Sequence, residues 1–321
     1  MFKNSVRSAL PFVFGLLLAW NAQAQTTSKP TRIVIFASGG PVDFVARTLA
    51  TKLVPVVPGP VIVDARPGAN GMVAAQSVIS SEPDGTSLLL ASSGLLTISP
   101  TVGKMPFNPD TDLVPVARVV VNASAIVIDA SIPVNNIKEF LSYAKASNQP
   151  LAFGSPGTGN ITHLWIEQFK DATNLDLLHV PYKGIAPALS DILGGRLAGT
   201  IADWPALQAH VKGGKMKVLG LVGSERSPAA PEIPTLKEQG YAGVEALSWY
   251  GVFAPAKTPP ETVDALVKSI ATALADPDVQ ARLRAAGAEP APSTPQELSK
   301  VVKNDRARWA TLIQRKNIKL E

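Results

Sequence analysis

The stretch LAFGSPGTGNITHLWIE, residues 151–167, decides the fold because it joins three kinds of local structure in one run. Its apolar start, 151–153, is typical of the end of a buried strand. Three glycines and a proline follow between 154 and 159, and neither a strand nor a helix holds that combination. Apolar residues then recur at helical spacing from Ile161, with Thr158 or Asn160 placed to cap the first turn. The stretch therefore predicts a strand, a glycine-rich turn and a helix N-terminus.

Such a turn can bind an anion, because unpaired N–H groups point outward and the helix dipole favours negative charge. The alternative is an ordinary strand-to-helix turn with good capping. Known phosphate and nucleophile motifs do not fit: Thr162 stands where a dinucleotide fingerprint has its third glycine, no P-loop lysine follows, and Ser155 is not in G-x-S-x-G. Similar turns at 38–43 and 66–71 favour the binding interpretation.

Strands and helices alternate along most of the chain, which predicts an α/β fold with largely parallel sheets. Predicted strands cover 32–37, 61–65, 86–91, 151–153, 177–180, 197–201, 216–221 and 246–254. Predicted helices cover 44–53, 72–80, 137–146, 161–172, 185–193, 206–211, 260–274, 277–286 and 295–315.

Residues 114–129 break this alternation, because two β-rich runs follow each other with only a short Asn-Ala-Ser segment between them. We interpret this segment as a crossing from one lobe to a second, and the strand at 246–254 as the return. The predicted organisation is a two-lobed clam: residues 25–123 plus 246–321 form lobe 1, and 124–245 form lobe 2. In such sheets, ligands bind in the cleft at the carboxyl ends of the strands.

The amino end has the pattern of a cleavable secretory signal: Lys3 and Arg7, an apolar run from 9 to 20, and Ala-Gln-Ala before Gln25. We expect residues 1–24 to be a signal peptide and the mature protein to be periplasmic. The sequence has no cysteine, so stability must come from a core. Without Lys3 and Arg7 the net charge falls from +5 to +3, with no basic tract, which argues against nucleic acid as a partner.

Four turns converge in the predicted cleft, at 38–43, 92–95, 156–160 and 200–205. Their small polar side chains and glycine N–H groups suit a carboxylate bound by neutral donors. The candidate ligand-binding residues are Ser38, Gly39, Gly40, Asp43, Ser92, Ser93, Ser155, Gly157, Thr158, Gly159, Asn160, Asp203 and Trp204.

The same residues are poor in catalysts. No Ser/His/Asp pairing, cysteine or pair of neighbouring carboxylates is readable, so we expect no catalytic residue. With three histidines we also expect no metal site and no cofactor, and each histidine to serve packing or hydrogen bonding. Asp203 is the one acid of the inner set; it either contacts a ligand or caps the helix that follows. Trp204 either stacks on a flat ligand or packs in the core.

Seven segments resemble the TctC-like substrate-binding proteins of tripartite tricarboxylate transporters, the Bug family. They are FASGGPVDFVART (36–48), VDARPGANG (63–71), EPDGTSLLLAS (82–92), GTGNITHL (157–164), HVPYKGIAPALSDILGG (179–195), APEIPTLKEQGY (230–241) and WYGVFAPAKTP (249–259). Together they span nearly the whole chain after residue 24.

The resemblance implies a periplasmic binding protein with a Venus flytrap fold. It implies a receptor that closes on a small di-, tri- or aromatic carboxylate and delivers it to a membrane permease. It also implies that the turns at 38–43 and 155–160 grip one carboxylate. The family commonly has asparagine and leucine after the acid at 203, whereas this chain has Trp204-Pro205. We therefore expect Trp204 to select a flat or aromatic acid. We expect a monomer, and the competing class is a secreted α/β enzyme acting on a carboxylate in the same cleft.

Overall fold

The computed structural model describes residues 29–53, 59–244 and 247–319. The predicted signal peptide, 1–24, lies outside these residues, as does position 246 at the start of the predicted return strand. The strands are β1 Thr31–Ile35, β2 Val61–Ala65, β3 Ser87–Ser92, β4 Leu113–Asn122, β5 Ser124–Asp129, β6 Leu151–Ser155, β7 Leu177–Pro181, β8 Gly199–Asp203, β9 Met216–Val222, β10 Ser248–Pro255 and β11 Ala288–Pro290.

The helices alternate with these strands as the sequence predicts. They are α1 Pro41–Leu53, α2 Met72–Ile79, α3 Ser93–Thr97, α4 Ser99–Val102, α5 Pro109–Asp112, α6 Ile137–Ala146, α7 Ile161–Thr173, α8 Ile185–Leu193, α9 Trp204–Lys212, α10 Pro260–Ala275, α11 Pro277–Ala285 and α12 Pro295–Lys316. Within the described ranges, no helix has both the length and the apolar character needed to cross a bilayer.

The first sheet has the strand order β11-β4-β10-β3-β1-β2. Successive residues of its central strands point to opposite faces, and both faces are covered. Ile33 and Ile35 pack with α1, α10 and α11, whereas Val34 packs with α2 and the first half of α12. Burial on both faces explains why IVIFA (33–37) is a continuous apolar run.

The second sheet has the order β7-β6-β8-β5-β9 and is covered in the same way. Ile126 and Phe153 pack with α6 and α7 on one face, and Val127 packs with α8 and α9 on the other. Each sheet therefore has its own core.

The crossing between the sheets is as direct as predicted, because only Ala123 separates β4 from β5. After each passage from one sheet to the other, the chain first forms β5 or β10. Each of these two strands runs antiparallel to both of its neighbours. The parallel pairs are those with helical crossovers, β1 with β2 and β3, and β6 with β7 and β8. Both sheets are thus mixed rather than largely parallel.

The last helix contacts both cores. Leu298 and Val302 pack with the first sheet, whereas Trp309, Leu312 and Ile313 pack with the second. The lobe limits 25–123 plus 246–321 and 124–245 stay a prediction, and α12 joins the two parts wherever the limits lie.

Candidate functional site

A cavity of about 480 Å³ lies between residues contributed by both sheets. Elements of the first sheet supply Phe36, Pro41, Ser92, Ser93 and Tyr250. Elements of the second supply Asn160, Ile161, Thr162, Ile185 and Asp203. Tyr250 apart, these residues lie at strand ends, in the segments that follow strands or in the first turns of the next helices. The cavity therefore occupies the position where the sequence places the cleft.

Five of the sequence-predicted residues line this cavity: Ser92, Ser93, Gly159, Asn160 and Asp203. Eight others are not among its lining residues: Ser38, Gly39, Gly40, Asp43, Ser155, Gly157, Thr158 and Trp204. Several of these eight hold the lining residues in position.

The turn at 38–43 is held by its own aspartate. Gly39 N–H donates to Oδ2 of Asp43 at 2.9 Å, and Oδ1 of Asp43 lies 2.8 Å from Nε of Arg47. Gly39 has a φ of 69°, which a glycine adopts without strain. Asp43 thus fixes the turn that leads into α1, and Pro41, the first residue of α1, reaches the cavity.

The turn at 155–160 is also internally bonded. The Ser155 hydroxyl accepts from Gly157 N–H at 3.2 Å and lies 2.5 Å from Nε2 of His179. Gly159 N–H donates to Nδ1 of His163 at 3.1 Å. Asn160, rather than Thr158, caps α7, because its Oδ1 accepts from Thr162 N–H at 2.9 Å.

His163 and His179 stack face to face behind this turn, with ring centroids 3.7 Å apart and planes within 5°. Burial lowers the pKa of both imidazoles; that of His179 falls to about 4, with the neighbouring His163 as a further cause. Both rings are therefore neutral at pH 7, as an Nδ1 that accepts from Gly159 requires. For these two, the prediction of a packing and hydrogen-bonding role is confirmed.

Asp203 lies at the end of β8 with its carboxylate toward the cavity. The Ser124 hydroxyl donates to Oδ1 of Asp203 at 2.7 Å. Burial raises the pKa of Asp203 to about 6, against the hydrogen bonds of Ser124 and Ser248, which lower it. Asp203 occupies the N-cap position of α9 but makes no side-chain capping bond. The capping alternative is therefore wrong, and Asp203 is among the residues that line the cavity.

Trp204, the next residue, points elsewhere. The predicted turn at 200–205 does not form, because β8 runs straight into α9 and Trp204 N–H donates to Ala123 O at 2.7 Å. The indole is 4 % exposed and packs with Leu207 and Leu221. The expectation that Trp204 stacks on a flat ligand finds no support in this position; the packing alternative fits it.

Several lining residues were not among the candidates. Phe36 and Tyr250 form an aromatic pair at the first sheet, with centroids 6.4 Å apart. Asn70 and Trp165 also line the cavity. Asn70 lies in the second glycine-rich turn, 66–71, so the sequence offers a reason to include it among the candidates. The other three carry no polar pattern that separates them from core residues.

The cavity has no fixed positive side chain: none of the described residues that line it is Lys, Arg or His. Its donors are hydroxyls, amides and the N-terminal turn of α7, because Pro41, the residue of α1 that lines it, has no N–H. Helix N-termini bind anions through N–H groups that the helix itself does not pair. Across the described parts of the chain, no cluster of three or more His, Cys, Asp or Glu could hold a metal ion.

Residues 45–318 match the family described as the tripartite tricarboxylate transporter family receptor. The chain belongs to this receptor family. Among its relatives, the protein BugT of Bordetella pertussis is 32 % identical over 321 residues, with 96 % of this chain and 98 % of BugT covered.

Solved structures of this receptor family have the same fold. The periplasmic binding protein BugD is 34 % identical, with a TM-score of 0.78 over 91 % of this chain and 99 % of BugD. Rpa4515 of R. palustris, solved with adipate, is 30 % identical, with a TM-score of 0.82 over 91 % of this chain and 99 % of Rpa4515. The two-lobed α/β fold is confirmed. The protein is a solute-binding receptor, and these relatives do not favour the enzyme alternative.

Proposed function

We propose that this receptor captures a small organic carboxylate in the periplasm and delivers it, as a monomer, to the membrane permease of a tripartite tricarboxylate transporter. The observation that carries the proposal is the lining of the cavity. The capped first turn of α7 lines a cavity together with Ser92 and Ser93 of the first sheet, and none of the described lining residues is cationic. Such a site suits an anion held by neutral donors.

We place the carboxylate between the first turn of α7 and the hydroxyls of Ser92 and Ser93. Asn160 and Thr162 line the cavity and form the capped first turn of α7, while Ser92 and Ser93 line it from the first sheet. Two carboxylate oxygens have about four acceptor positions, more than one helix end can fill. Contacts from both lobes therefore favour a closed state, and ligand binding shifts the population toward it.

The ligand class follows from the cavity and from the relatives. A volume of about 480 Å³ holds a small acid. Rpa4515 is solved with adipate, a carboxylate bound by a protein of the same fold and family. We propose a di-, tri- or aromatic carboxylate as the ligand. The predicted signal peptide at 1–24 fits export to the periplasm.

Calorimetry and thermal-shift measurements with a panel of such acids test the proposal. We expect at least one acid to raise Tm in proportion to the logarithm of its concentration and to be recovered unchanged. Acids that leave Tm unchanged across the panel would contradict the proposed ligand class. Conversion of the bound acid into a product would instead support an enzyme.

A further inference from the structure

We propose that Asp203 selects the far end of the ligand by accepting a hydrogen bond from a hydroxyl or ammonium group. The preferred ligand is then an acid with one carboxylate at the first turn of α7 and a hydrogen-bond donor at Asp203. This inference deepens the proposed function and rests on it.

The carboxylate of Asp203 has acceptor capacity to spare. An ionised carboxylate has about four lone-pair positions. Ser124 occupies one at 2.7 Å, and Ser248 supplies a second hydrogen bond from β10. Both donors belong to the wall, and neither caps a helix. Because Asp203 lines the cavity, its remaining acceptor positions can be filled by a donor on the ligand.

The charge on Asp203 has no counterion in the cavity. Among the described lining residues the other titratable group is Tyr250, and burial raises its pKa, so it stays neutral. A buried carboxylate with too few donors is costly, and a donor from the ligand offsets that cost. A second carboxylate placed there would instead face a like charge, which disfavours the ionised form of both.

The residues that line the cavity therefore offer two kinds of polar contact. The N-terminal turn of α7 with its Asn160 cap suits an anion. Asp203 offers an acceptor with negative charge. The lining also includes the apolar side chains of Phe36, Ile161 and Trp165. A ligand that satisfies all three parts is asymmetric: an anion, an apolar body and a donor.

Acidification should shift the preference from donor-ended acids toward dicarboxylates. The groups that face Asp203 are Ser124 from β5 and Ser248 and Tyr250 from β10, and none of them titrates between pH 5 and 7.5. Burial raises the pKa of Asp203 to about 6, so the residue is mostly protonated at pH 5. A protonated carboxyl group can donate to a second carboxylate. Dicarboxylates therefore gain affinity at pH 5 relative to amino acids of the same length.

The test is calorimetry with matched ligands that differ only at the far end. Straight four-, five- and six-carbon acids carry methyl, hydroxyl, ammonium or carboxylate at that end, and para-substituted benzoates extend the series to rings. At pH 7.5 we expect the hydroxyl or ammonium member of the best-fitting length to bind about tenfold more tightly than the dicarboxylate, as one charge-assisted hydrogen bond allows.

Two variants give the comparison. Asp203→Asn should remove the preference, bringing the dicarboxylate within about twofold of the donor-ended acids. Asp129→Asn, at the opposite end of β5 from Ser124, removes an acid outside the cavity and should leave the preference unchanged. If Asp203→Asn does not fold, the wild-type comparison between pH 7.5 and pH 5 still decides.

The outcomes separate this inference from the proposed function. Binding of dicarboxylates at pH 7.5 as tight as that of donor-ended acids, or an unchanged preference in Asp203→Asn, would overturn the role of Asp203 alone. Absence of binding by every acid in both series would overturn both proposals.

Discussion

The stacked histidines show how one pair of side chains can fix a glycine-rich turn beside the cavity. His179 contacts the Ser155 hydroxyl and His163 accepts from Gly159 N–H, so the pair holds both ends of the glycine-rich turn. Parallel imidazole rings 3.7 Å apart cannot both be positively charged without strong repulsion. The geometry of the turn therefore depends on two neutral imidazoles.

We predict that acidification destabilises the protein through this pair. Because burial lowers the pKa of His179 from 6.5 to about 4, the unfolded chain binds protons in that interval that the folded chain does not. The contribution of the neutral His179 to the free energy of unfolding is therefore complete above pH 6.5 and falls as the pH drops toward 4, by at most about 3 kcal/mol. An NMR titration of the imidazole Cε1–H signals checks this. A midpoint near 6.5 for His179 would contradict the prediction.

Asp203 changes the stability with pH in the opposite direction. Burial raises its pKa from 3.8 to about 6, so the folded state binds the proton more tightly and the protein loses stability as the pH rises through this window. We predict that Asp203→Asn, without ligand, is more stable than the wild type at pH 7.5 by about 1 to 2 kcal/mol, and that the difference vanishes near pH 4. Urea unfolding at both pH values measures this; a variant equally destabilised at both would argue against the prediction.

The sequence does not show which of Asp203 and Trp204 faces the cavity, because this depends on the register of the paired strands. Both residues were candidates, with a structural alternative for each. Asp203 is opposite Ser124 in the pairing of β8 with β5, which brings carboxylate and hydroxyl together. Trp204 begins α9 and turns its indole into the core behind the sheet. Only the paired strands fix which of two neighbours faces the cavity.

At the level of the helices, the N-terminus of α7 combines a structural cap with a place in the cavity. Asn160 accepts from Thr162 N–H, and both residues line the cavity. Asn136 caps α6 in a similar way, accepting from Glu139 N–H at 2.9 Å, but it is not among the lining residues. The chain thus offers a matched pair of caps.

We predict that Asn160→Ala and Asn136→Ala each lower stability by about 1 kcal/mol, the usual cost of an N-cap, and that they differ in ligand binding. Asn160→Ala should weaken carboxylate binding about tenfold, because the first turn of α7 loses its fixed geometry at the cavity. Asn136→Ala should bind as the wild type does. Calorimetry with one bound acid, combined with urea unfolding, gives both readings. Equal affinity in the two variants would refute the role of this helix end.

Long elements are readable from the sequence, whereas short ones are not. The predicted helix at 295–315 corresponds to α12 within one residue, because proline, a capping box and a long apolar stripe define it. The helices α3, α4 and α5 have four or five residues each, too few for a helical period. Ser92–Ser93–Gly94 therefore reads as a turn. Strand β11 has three residues and ends in proline, and it too escapes prediction.

Across the whole molecule, the described residues join the two sheets at the step from β4 to β5, along the segment from β9 to β10, and through α12. The first two were predicted, because a β-rich run without a helix is visible in the sequence. The packing of α12 against both cores was not predicted, because its apolar stripe looks the same whichever core it covers. Its second half packs against the second sheet, and Nζ of Lys316 lies 2.6 Å from Asp171 of α7.

We predict that α12 stabilises the two cores separately along its length. Trp309→Ala should cost about 3–5 kcal/mol, and Leu298→Ala about 2–5 kcal/mol, because both side chains are fully buried. Hydrogen exchange should accelerate in α7 and β8 for Trp309→Ala, but in β3 and β4 for Leu298→Ala, since each side chain belongs to a different core. If both variants accelerate exchange in the first sheet alone, α12 belongs with lobe 1 in its entirety. Exchange that rises in a different sheet for each variant would confirm that α12 stabilises both cores.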